Sequence, residues 1–189
     1  WWYNLTTPLE EARQFGLAEQ AYRQAIKIDP EYAFGWNCLG NLFSDHLGRY
    51  EEAEKAYKQA IKIDPEYAYA WHCLGNLLKD HMSRYEEAEQ AYRQAIKINP
   101  EYAYGWNRLG KLLKEYPDRY EEAEKVFKKS IKIDPEYAYP YVYLAELYAK
   151  QDKNEEALRC IKKGIVLEPN YLFPQNLFRK ICQGKTAPW

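Results

Sequence analysis

Two histidines occur in a pattern that could belong to a metal site. His46 and His81 each follow an aspartate, and they lie 35 residues apart. Imidazole and carboxylate groups are common zinc ligands, but they must converge on one ion. If the two segments are successive structural repeats, helix packing holds these side chains about 10 Å apart, too far to share a metal. We therefore predict no metal site and no cofactor.

Pairs of adjacent glutamates are a second arrangement that could carry chemistry, because neighbouring carboxyl groups can act as acid and base. Such pairs recur at 51–52, 86–87 and 121–122, each time after an Arg-Tyr dipeptide. A carboxylate in the first turn of a helix is stabilised by the helix dipole, and the recurrence favours this structural role. The sequence contains no glycine-rich phosphate loop, Ser/His/Asp set or zinc-binding spacing. We therefore predict that the chain is not an enzyme.

Charge and cysteine content limit the function further. The 189 residues carry 27 basic and 28 acidic side chains, a formal net charge of −1, so nothing attracts the whole chain to nucleic acid. No apolar segment approaches the roughly 20 residues that cross a membrane. The four cysteines form no Cys-x-x-Cys pair, which is typical of reduced thiols in a cytosolic protein. We expect a cytoplasmic protein that binds no membrane and, because the first residue is Trp1, a fragment of a longer protein.

A repeat of about 35 residues dominates the sequence. Prolines stand at positions 30, 65, 100, 135 and 169, with spacings of 35, 35, 35 and 34 residues. Residues 31–65 and 66–100 differ at only 10 of 35 positions. A fixed period of this size indicates a repeat protein in which one supersecondary unit stacks on the next.

Each repeat has the pattern of two helices. In the second full repeat, Trp71, Leu74 and Leu78 have the i, i+3, i+7 spacing of an amphipathic helix. This first helix is predicted from about Tyr67 to Asp80. A second helix is predicted from about Arg84 to Ile98, after a short turn.

The glycines and the helix starts support further predictions. Gly75 lies inside the first helix, where it costs about 1 kcal/mol relative to alanine, so we expect the partner helix to approach closely there. The segment Ser83-Arg-Tyr-Glu86 has the spacing of a capping box. Asp118 to Glu121 and Asp152 to Glu155 share that spacing, and Gly48 takes the capping position in the first full repeat.

These features resemble the tetratricopeptide repeat (TPR) family. The residues that match its signature in the second full repeat are Trp71, Leu74, Gly75, Leu78, Tyr85, Ala88, Tyr92, Ala95 and Pro100. The family's usual unit has 34 residues, so three repeats carry one extra residue, around His46, His81 and Tyr116. The resemblance implies an all-α fold, a right-handed α-solenoid of antiparallel helix pairs. We expect about four and a half repeats and a C-terminal capping helix.

This register predicts a single TPR solenoid domain over residues 1–182. Its parts are a repeat remnant at 1–30, repeats at 31–65, 66–100, 101–135 and 136–169, and a capping helix at 174–182. A helix is expected to start near Thr7-Pro8 and to continue to about Ile28, and the tail 183–189 is expected to be loose. We expect Trp1 and Trp2 to be covered by further repeats or by another copy of the chain.

In the TPR family the first helix of each pair lines a concave groove, so the resemblance implies which residues face a partner. They are Phe34, Asn37, Asn41, Tyr69, His72, Asn76, Lys79, Tyr104, Asn107, Arg108, Lys111, Lys114, Tyr139 and Tyr143. Asparagine offers a donor and an acceptor to a peptide backbone, and the cations could hold a carboxylate. The aromatic ladder offers large and stiff contact area.

We therefore interpret the chain as a non-enzymatic scaffold that binds a protein or an extended peptide in its groove, with an acidic peptide as one candidate. Two alternatives stay open. Near-identical arrays resembling this one are often attached to bacterial signalling ATPases or caspase-like proteases, so the chain could be a sensory or regulatory arm of such a protein. The second alternative is single-stranded nucleic-acid binding by tyrosine stacking. The net charge and the groove acids Asp45, Asp80 and Glu115 argue against it.

Overall fold

The computed structural model describes residues 14–170 and 172–182, of which residues 172 and 173 by their backbone alone. Within these ranges the chain has ten α-helices and no strand, so the predicted all-α fold is confirmed. The helices are α1 Phe15–Ile28, α2 Ala33–Asn41, α3 Tyr50–Ile63, α4 Ala68–Asp80, α5 Tyr85–Ile98, α6 Ala103–Leu113, α7 Tyr120–Ile133, α8 Ala138–Lys150, α9 Asn154–Leu167 and α10 Leu172–Cys182. The expected helix start at Thr7-Pro8, the residues Trp1 and Trp2 and the tail 183–189 lie outside the described residues.

The helices pack in consecutive pairs, within two compact units that divide in sequence between Asn99 and Pro100. In the first unit α2 pairs with α3 and α4 with α5, while α1 packs on α2 and α3 packs on α4. In the second unit α6 pairs with α7 and α8 with α9, while α7 packs on α8 and α10 packs on α9. The first helices of neighbouring pairs also touch, α2 with α4 and α6 with α8. Pairs packed in this order are the architecture of an α-solenoid, while its handedness and the single domain over 1–182 stay predictions.

One hydrogen bond recurs at the start of every repeat. The indole N–H of each motif tryptophan donates to the carbonyl of the proline six residues earlier, at 2.8–3.0 Å. Tyr141 makes the same bond with its hydroxyl, and Gln175 makes it with its side-chain amide. Gln175 lies in α10, so this helix has the register of a first helix of a further pair. It begins at Leu172, two residues before the predicted capping helix.

The extra residue of the long repeats is accommodated in three different ways. After α2 the chain forms a π-helix, Leu42–Leu47, which ends at Gly48 with φ of 63°. After α4 it turns through Ser83, whose φ of 54° is also left-handed. After α6 a 3₁₀-helix, Pro117–Arg119, leads into α7. The sequence predicted where the extra residue lies but not the different backbone conformation that follows each first helix.

The predicted capping boxes are wrong. The N-cap residue of α5 is Arg84 rather than Ser83, α7 and α9 are shifted in the same way, and none of the three has a side-chain cap hydrogen bond. In α5 and α7 an arginine at the N-cap binds the glutamate three residues on; the guanidinium of Arg84 donates to both carboxylate oxygens of Glu87 at 2.7 and 2.6 Å. Arg84 also donates to Glu54 at 2.8 Å and so links α5 to the preceding second helix, α3. In the observed register the residue three positions after the N-cap is therefore Glu87 rather than the predicted Glu86, and its carboxylate is held by the guanidinium.

The motif glycines lie beneath aromatic rings of the second helices. A Cβ built at Gly75 would lie 2.7 Å from Cε1 of Tyr92, and Gly40 and Gly110 meet the corresponding rings at 2.5 and 2.6 Å. Real Cβ atoms do not approach other atoms so closely, so each of these sites requires glycine. The close approach predicted from the mid-helix position of Gly75 is confirmed.

We expect Gly75→Ala to destabilise the chain although it improves helix propensity. The gain in propensity is about 1 kcal/mol, but the added methyl meets a ring that is fully buried and cannot move away. Overpacking of this kind costs about 1–3 kcal/mol, so a net loss should appear in urea unfolding. Gly16→Ala is the matched control, because a Cβ at this exposed site in α1 has none of the described residues within 4 Å and should stabilise by about 0.5 kcal/mol. Equal effects of the two substitutions would contradict the packing argument.

Candidate functional site

The fourteen residues predicted to face a partner lie on the first helices or at their ends. In the first unit α2 carries three of them and α4 carries four, and these two helices are in contact. In the second unit α6, with its C-cap Lys114, carries five and α8 carries two, again on helices in contact. Spacings of three, four and seven residues place each set on one side of its helix. We call the surface formed by these sides the first-helix face of each unit.

Aromatic rings occur in pairs at the start of each first helix. The four pairs have ring centroids 5.6–6.4 Å apart: Tyr32 with Phe34, Tyr67 with Tyr69, Tyr102 with Tyr104, and Tyr137 with Tyr139. The second members were predicted, while the first members were missed. The signal that could have found them is the segment Glu-Tyr-Ala followed by an aromatic residue, which occurs four times.

The rings of the second unit form a continuous series. Tyr104 contacts Tyr137 with centroids 6.0 Å apart, which joins the aromatic pairs of two successive repeats. Tyr139 then contacts Tyr143 at 6.4 Å, and Tyr143 contacts Phe127 of the second helix α7 at 6.0 Å. The first-helix face of this unit is therefore lined by tyrosine across both repeats.

Two of the predicted asparagines are hydrogen-bonded within their own repeat. The hydroxyl of Tyr57 donates to Oδ1 of Asn41 at 2.9 Å, and the hydroxyl of Tyr92 donates to Oδ1 of Asn76 at 2.8 Å. Asn76 also contacts Nε2 of the buried His72 through Nδ2 at 2.8 Å. These side chains are therefore partly engaged by the scaffold before any partner binds.

The third full repeat changes both members of this Tyr–Asn pair. At the corresponding positions it has Phe127, which lacks a hydroxyl, and Lys111, which cannot accept a hydrogen bond. The Lys111 ammonium lies 5.7 Å from the centroid of the Tyr143 ring, in the distance range of a cation–π contact. Comparing the repeats within the sequence could have shown that asparagine and tyrosine change together.

Asparagines at another repeated position are buried. Asn37 is 0% exposed, and its amide lies close to the Cys73 sulfur without the geometry of a hydrogen bond. Asn107 is 3% exposed, and its Nδ2 donates to the hydroxyl of Tyr137 at 3.1 Å. Neither amide atom of Asn37 has a hydrogen-bond partner within the described residues, and the same holds for Oδ1 of Asn107.

Two of the four predicted cations contact carboxylates. Lys79 lies 2.7 Å from Asp80. Lys114 lies 2.9 Å from both Glu115 and Glu146, with its side chain only 7% exposed. Burial alone would lower the pKa of Lys114, but the two carboxylates raise it above its ordinary value. Acidic neighbours thus balance both lysines.

The remaining two cations lie against tyrosine rings. The guanidinium of Arg108 lies over the ring of Tyr104, 4.8 Å from its centroid, and donates to the Tyr104 hydroxyl. The second of these cations, the ammonium of Lys111, lies over the ring of Tyr143. The two side chains are three residues apart on α6 and so lie on the same side of that helix.

The histidines and the cysteine that could carry metal or nucleophilic chemistry are packed within the scaffold. His46 stacks on Phe15 with ring centroids 4.5 Å apart, and His81 stacks on Tyr50 at 4.2 Å. Among the described residues no group of three or more His, Cys, Asp or Glu side chains could hold a metal ion. Burial raises the pKa of the Cys73 thiol to about 12, so it stays protonated. No helix in the described ranges is long and apolar enough to cross a membrane.

Helix pairs packed in sequence, with polar and aromatic side chains along their first helices, define a helical repeat protein of the solenoid class. Family models described as TPR repeat match residues 46–81 and 82–115. Models described as tetratricopeptide repeat match residues 9–32, 21–55 and 117–171. The chain therefore belongs to the tetratricopeptide repeat family. No match to a curated protein was found.

Solved structures share the fold at low sequence identity. The chain is similar to PilF of Pseudomonas aeruginosa, with a TM-score of 0.85 and 20% identity over 97% of this chain and 82% of the other. For MamA the TM-score is 0.75 and the identity is 24%, over 87% of this chain and 94% of the other. YrrB is described as a TPR protein with an unusual peptide-binding site. Its TM-score is 0.73 and its identity is 20%, over 94% of this chain and 90% of the other. At these identities the likeness concerns the fold.

Proposed function

We propose that this chain is a non-enzymatic scaffold that binds a protein or an extended peptide along its first-helix face. Membership of the tetratricopeptide repeat family supports this proposal, as does the fold shared with YrrB, whose structure is described by its peptide-binding site. A sensory or regulatory arm of a larger signalling protein would use the same surface. We also propose a cytoplasmic location, because the four free cysteines suit a reducing compartment.

The observation that carries the proposal concerns two buried asparagines at equivalent positions of the two units. Within the described residues neither amide atom of Asn37 has a hydrogen-bond partner, and Oδ1 of Asn107 has none either. A buried amide group that lacks a hydrogen bond costs about 1–3 kcal/mol. The backbone of an extended peptide presents N–H and C=O groups side by side and can pair with such an amide. Because both amides are shielded from solvent, the peptide reaches them only when an adjacent side chain moves aside.

The charges of the second unit favour a partner with an acidic group. Lys79 and Lys114 already contact carboxylates, while Arg108 and Lys111 lie against the rings of Tyr104 and Tyr143. A carboxylate of the partner could add a charge-assisted hydrogen bond to either of these cations, which are three residues apart on α6. The carboxylates that contact Lys79 and Lys114 reduce the attraction of this face for a nucleic-acid backbone, which depends on many cations.

Peptide selection tests the proposal. A phage-displayed library of random peptides, each about 12 residues long, is panned on the chain, and enriched peptides are synthesised and titrated by calorimetry. The variant Arg108→Glu with Lys111→Glu should weaken their binding at least tenfold, because a charge-assisted hydrogen bond contributes about 1.5–3 kcal/mol.

The control is Lys125→Glu with Lys128→Glu, which makes the same change of charge at the same spacing on the second helix α7. This control should bind the peptides as the unaltered chain does, and circular dichroism should show both variants folded. Peptides that bind the two variants equally, or a library that yields no binder, would overturn the proposal.

A further inference from the structure

The first unit contains a cavity of about 340 Å³ between α1, α2 and α3. Trp36, Leu39 and Phe43 line it, at the spacing i, i+3, i+7 of one helix side. Asn37 and Asn41 of the first-helix face lie roughly 100° and 140° away from Trp36 around the axis of α2. The cavity is therefore a separate place from the surface proposed to bind a peptide.

The apolar part of this cavity is held in place before any ligand enters. The indole N–H of Trp36 donates to the carbonyl of Pro30 at 3.0 Å, which fixes the orientation of a ring that is only half-buried. Beneath it Leu39, Phe43 and Ala56 are each 2% exposed and belong to the core. A flat apolar group in the cavity therefore packs mainly beside the indole of Trp36, in the way that aromatic rings associate.

The charged side chains of the lining decide which kind of ligand fits. Arg23 and Lys55 contribute two positive charges and Glu52 contributes one negative charge. Glu52 lies 2.5 Å from Arg49 and 3.8 Å from Arg23, and the hydrogen bonds from Arg49 hold the pKa of Glu52 below its ordinary value. The acid is thus ionised and balanced by arginine. The ammonium of Lys55 leaves the lining with one positive charge in excess.

The next repeat of the same unit has a different lining at the equivalent place. Gln90 stands 35 residues after Lys55 and carries no charge. Lys58 stands 35 residues after Arg23, and it lies 2.7 Å from Glu54. The excess of positive charge therefore belongs to the first full repeat and is not a general property of the scaffold in this unit.

We propose that this cavity binds a small aromatic carboxylate, a ligand with a planar ring and a carboxylate on a stem of one or two carbons. The ring packs beside the indole of Trp36, and the carboxylate accepts a charge-assisted hydrogen bond from the ammonium of Lys55. Ligand sites have volumes of about 300–1,000 Å³, so this cavity suits a small ligand of one or two fused rings. A phosphate monoester carries a charge of about −1.5 to −2, which exceeds the positive charge available here.

Titration of the nitrogen-15-labelled chain with unlabelled indole-3-propionate tests the site. The indole N–H signal of Trp36, assigned by its loss in Trp36→Tyr, should shift with a Kd of about 0.1–1 mM, the range for a ligand of about 14 non-hydrogen atoms. Trp71 bonds its own proline carbonyl at 3.0 Å in the same way, and its signal should stay in place. Indole-3-propionamide has the same shape without the charge and should bind about threefold more weakly, because an exposed ion pair contributes this much.

Two variants with matched controls locate the ligand. Lys55→Gln should remove the preference for the acid over the amide, while Lys125→Gln makes the same change at the equivalent position of the third full repeat and should keep that preference. Gln59→Phe fills part of the cavity with a ring and should abolish the shift of the Trp36 signal. Gln94→Phe, at the equivalent position of the second full repeat, should leave the shift unchanged. Dispersed indole signals show that each variant is folded.

The outcomes decide between a specific site and general stickiness of aromatic surface. Equal shifts of the Trp36 and Trp71 signals, equal binding of the acid and the amide, or equal binding by the Gln59→Phe and Gln94→Phe variants rules out the site. The absence of any shift at about ten times the expected Kd also rules it out. A shift of the Trp36 signal that depends on Lys55 and on an open cavity supports the proposal. Peptide binding at the first-helix face is independent of each of these results.

Discussion

Replacing Glu146 by alanine is expected to destabilise the second unit by about 3 kcal/mol. Oε1 of Glu146 lies 2.9 Å from Nζ of Lys114, and the two side chains are only 12% and 7% exposed. Removing one partner of a buried ion pair leaves the other charge desolvated without compensation, which costs about 3–5 kcal/mol. The lower end applies because Glu115 also contacts the ammonium. Urea unfolding followed by circular dichroism measures the loss.

Two further variants define the control for this prediction. Glu115→Ala removes a carboxylate whose side chain is 54% exposed, so it should cost less than about 1 kcal/mol. Lys114→Met combined with Glu146→Leu removes both buried charges and should cost less than Glu146→Ala, because only the more distant Lys150, 3.7 Å from Glu146, then loses a carboxylate. If Glu146→Ala and Glu115→Ala have the same small effect, the buried pair does not stabilise the unit as argued.

The scaffold could be predicted from the sequence because its residues meet local packing and hydrogen-bonding requirements that recur in every full repeat. Gly75 sits where no Cβ fits beneath Tyr92, and Trp71 bonds the proline carbonyl six residues earlier, so both types recur at a fixed spacing. A periodic pattern of this kind is visible without coordinates. The helix starts were harder, because Arg84 binds Glu87, one residue beyond the glutamate of the predicted capping box, and the helix begins one residue later than predicted.

The polar groups of the candidate site were predictable by position but not by partner. Lys114 meets Glu146 across 32 residues, and that contact depends on the register between α6 and α8. Asn76 bonds Tyr92 across 16 residues, which depends on how the two helices of one pair are rotated. Neither offset can be derived from a helix period alone. The set of partner-facing residues therefore stays a prediction, and the structure adds which of them the scaffold already engages.

The second large effect on the free energy of unfolding is expected from changes at the contact between Tyr92 and Gly75. Tyr92→Ala should destabilise the first unit by about 3–5 kcal/mol, because it empties the space of a fully buried ring. The hydroxyl that donates to Asn76 is lost as well. Gly75→Leu in the unaltered chain should also destabilise, by about 3 kcal/mol, because the new side chain must share the space of that ring.

Combining Tyr92→Ala with Gly75→Leu should recover at least about 1.5 kcal/mol relative to the sum of the single effects, because the leucine then fills the space that the ring has left. The same cycle with Gly16→Leu in place of Gly75→Leu should be additive, since Gly16 lies on α1 and a Cβ there meets no described residue within 4 Å. Urea unfolding of the four variants of each cycle gives both coupling energies. Additivity in the Gly75 cycle would mean that the glycine and the ring do not share one space, and the packing that fixes each first helix on its second would need another explanation.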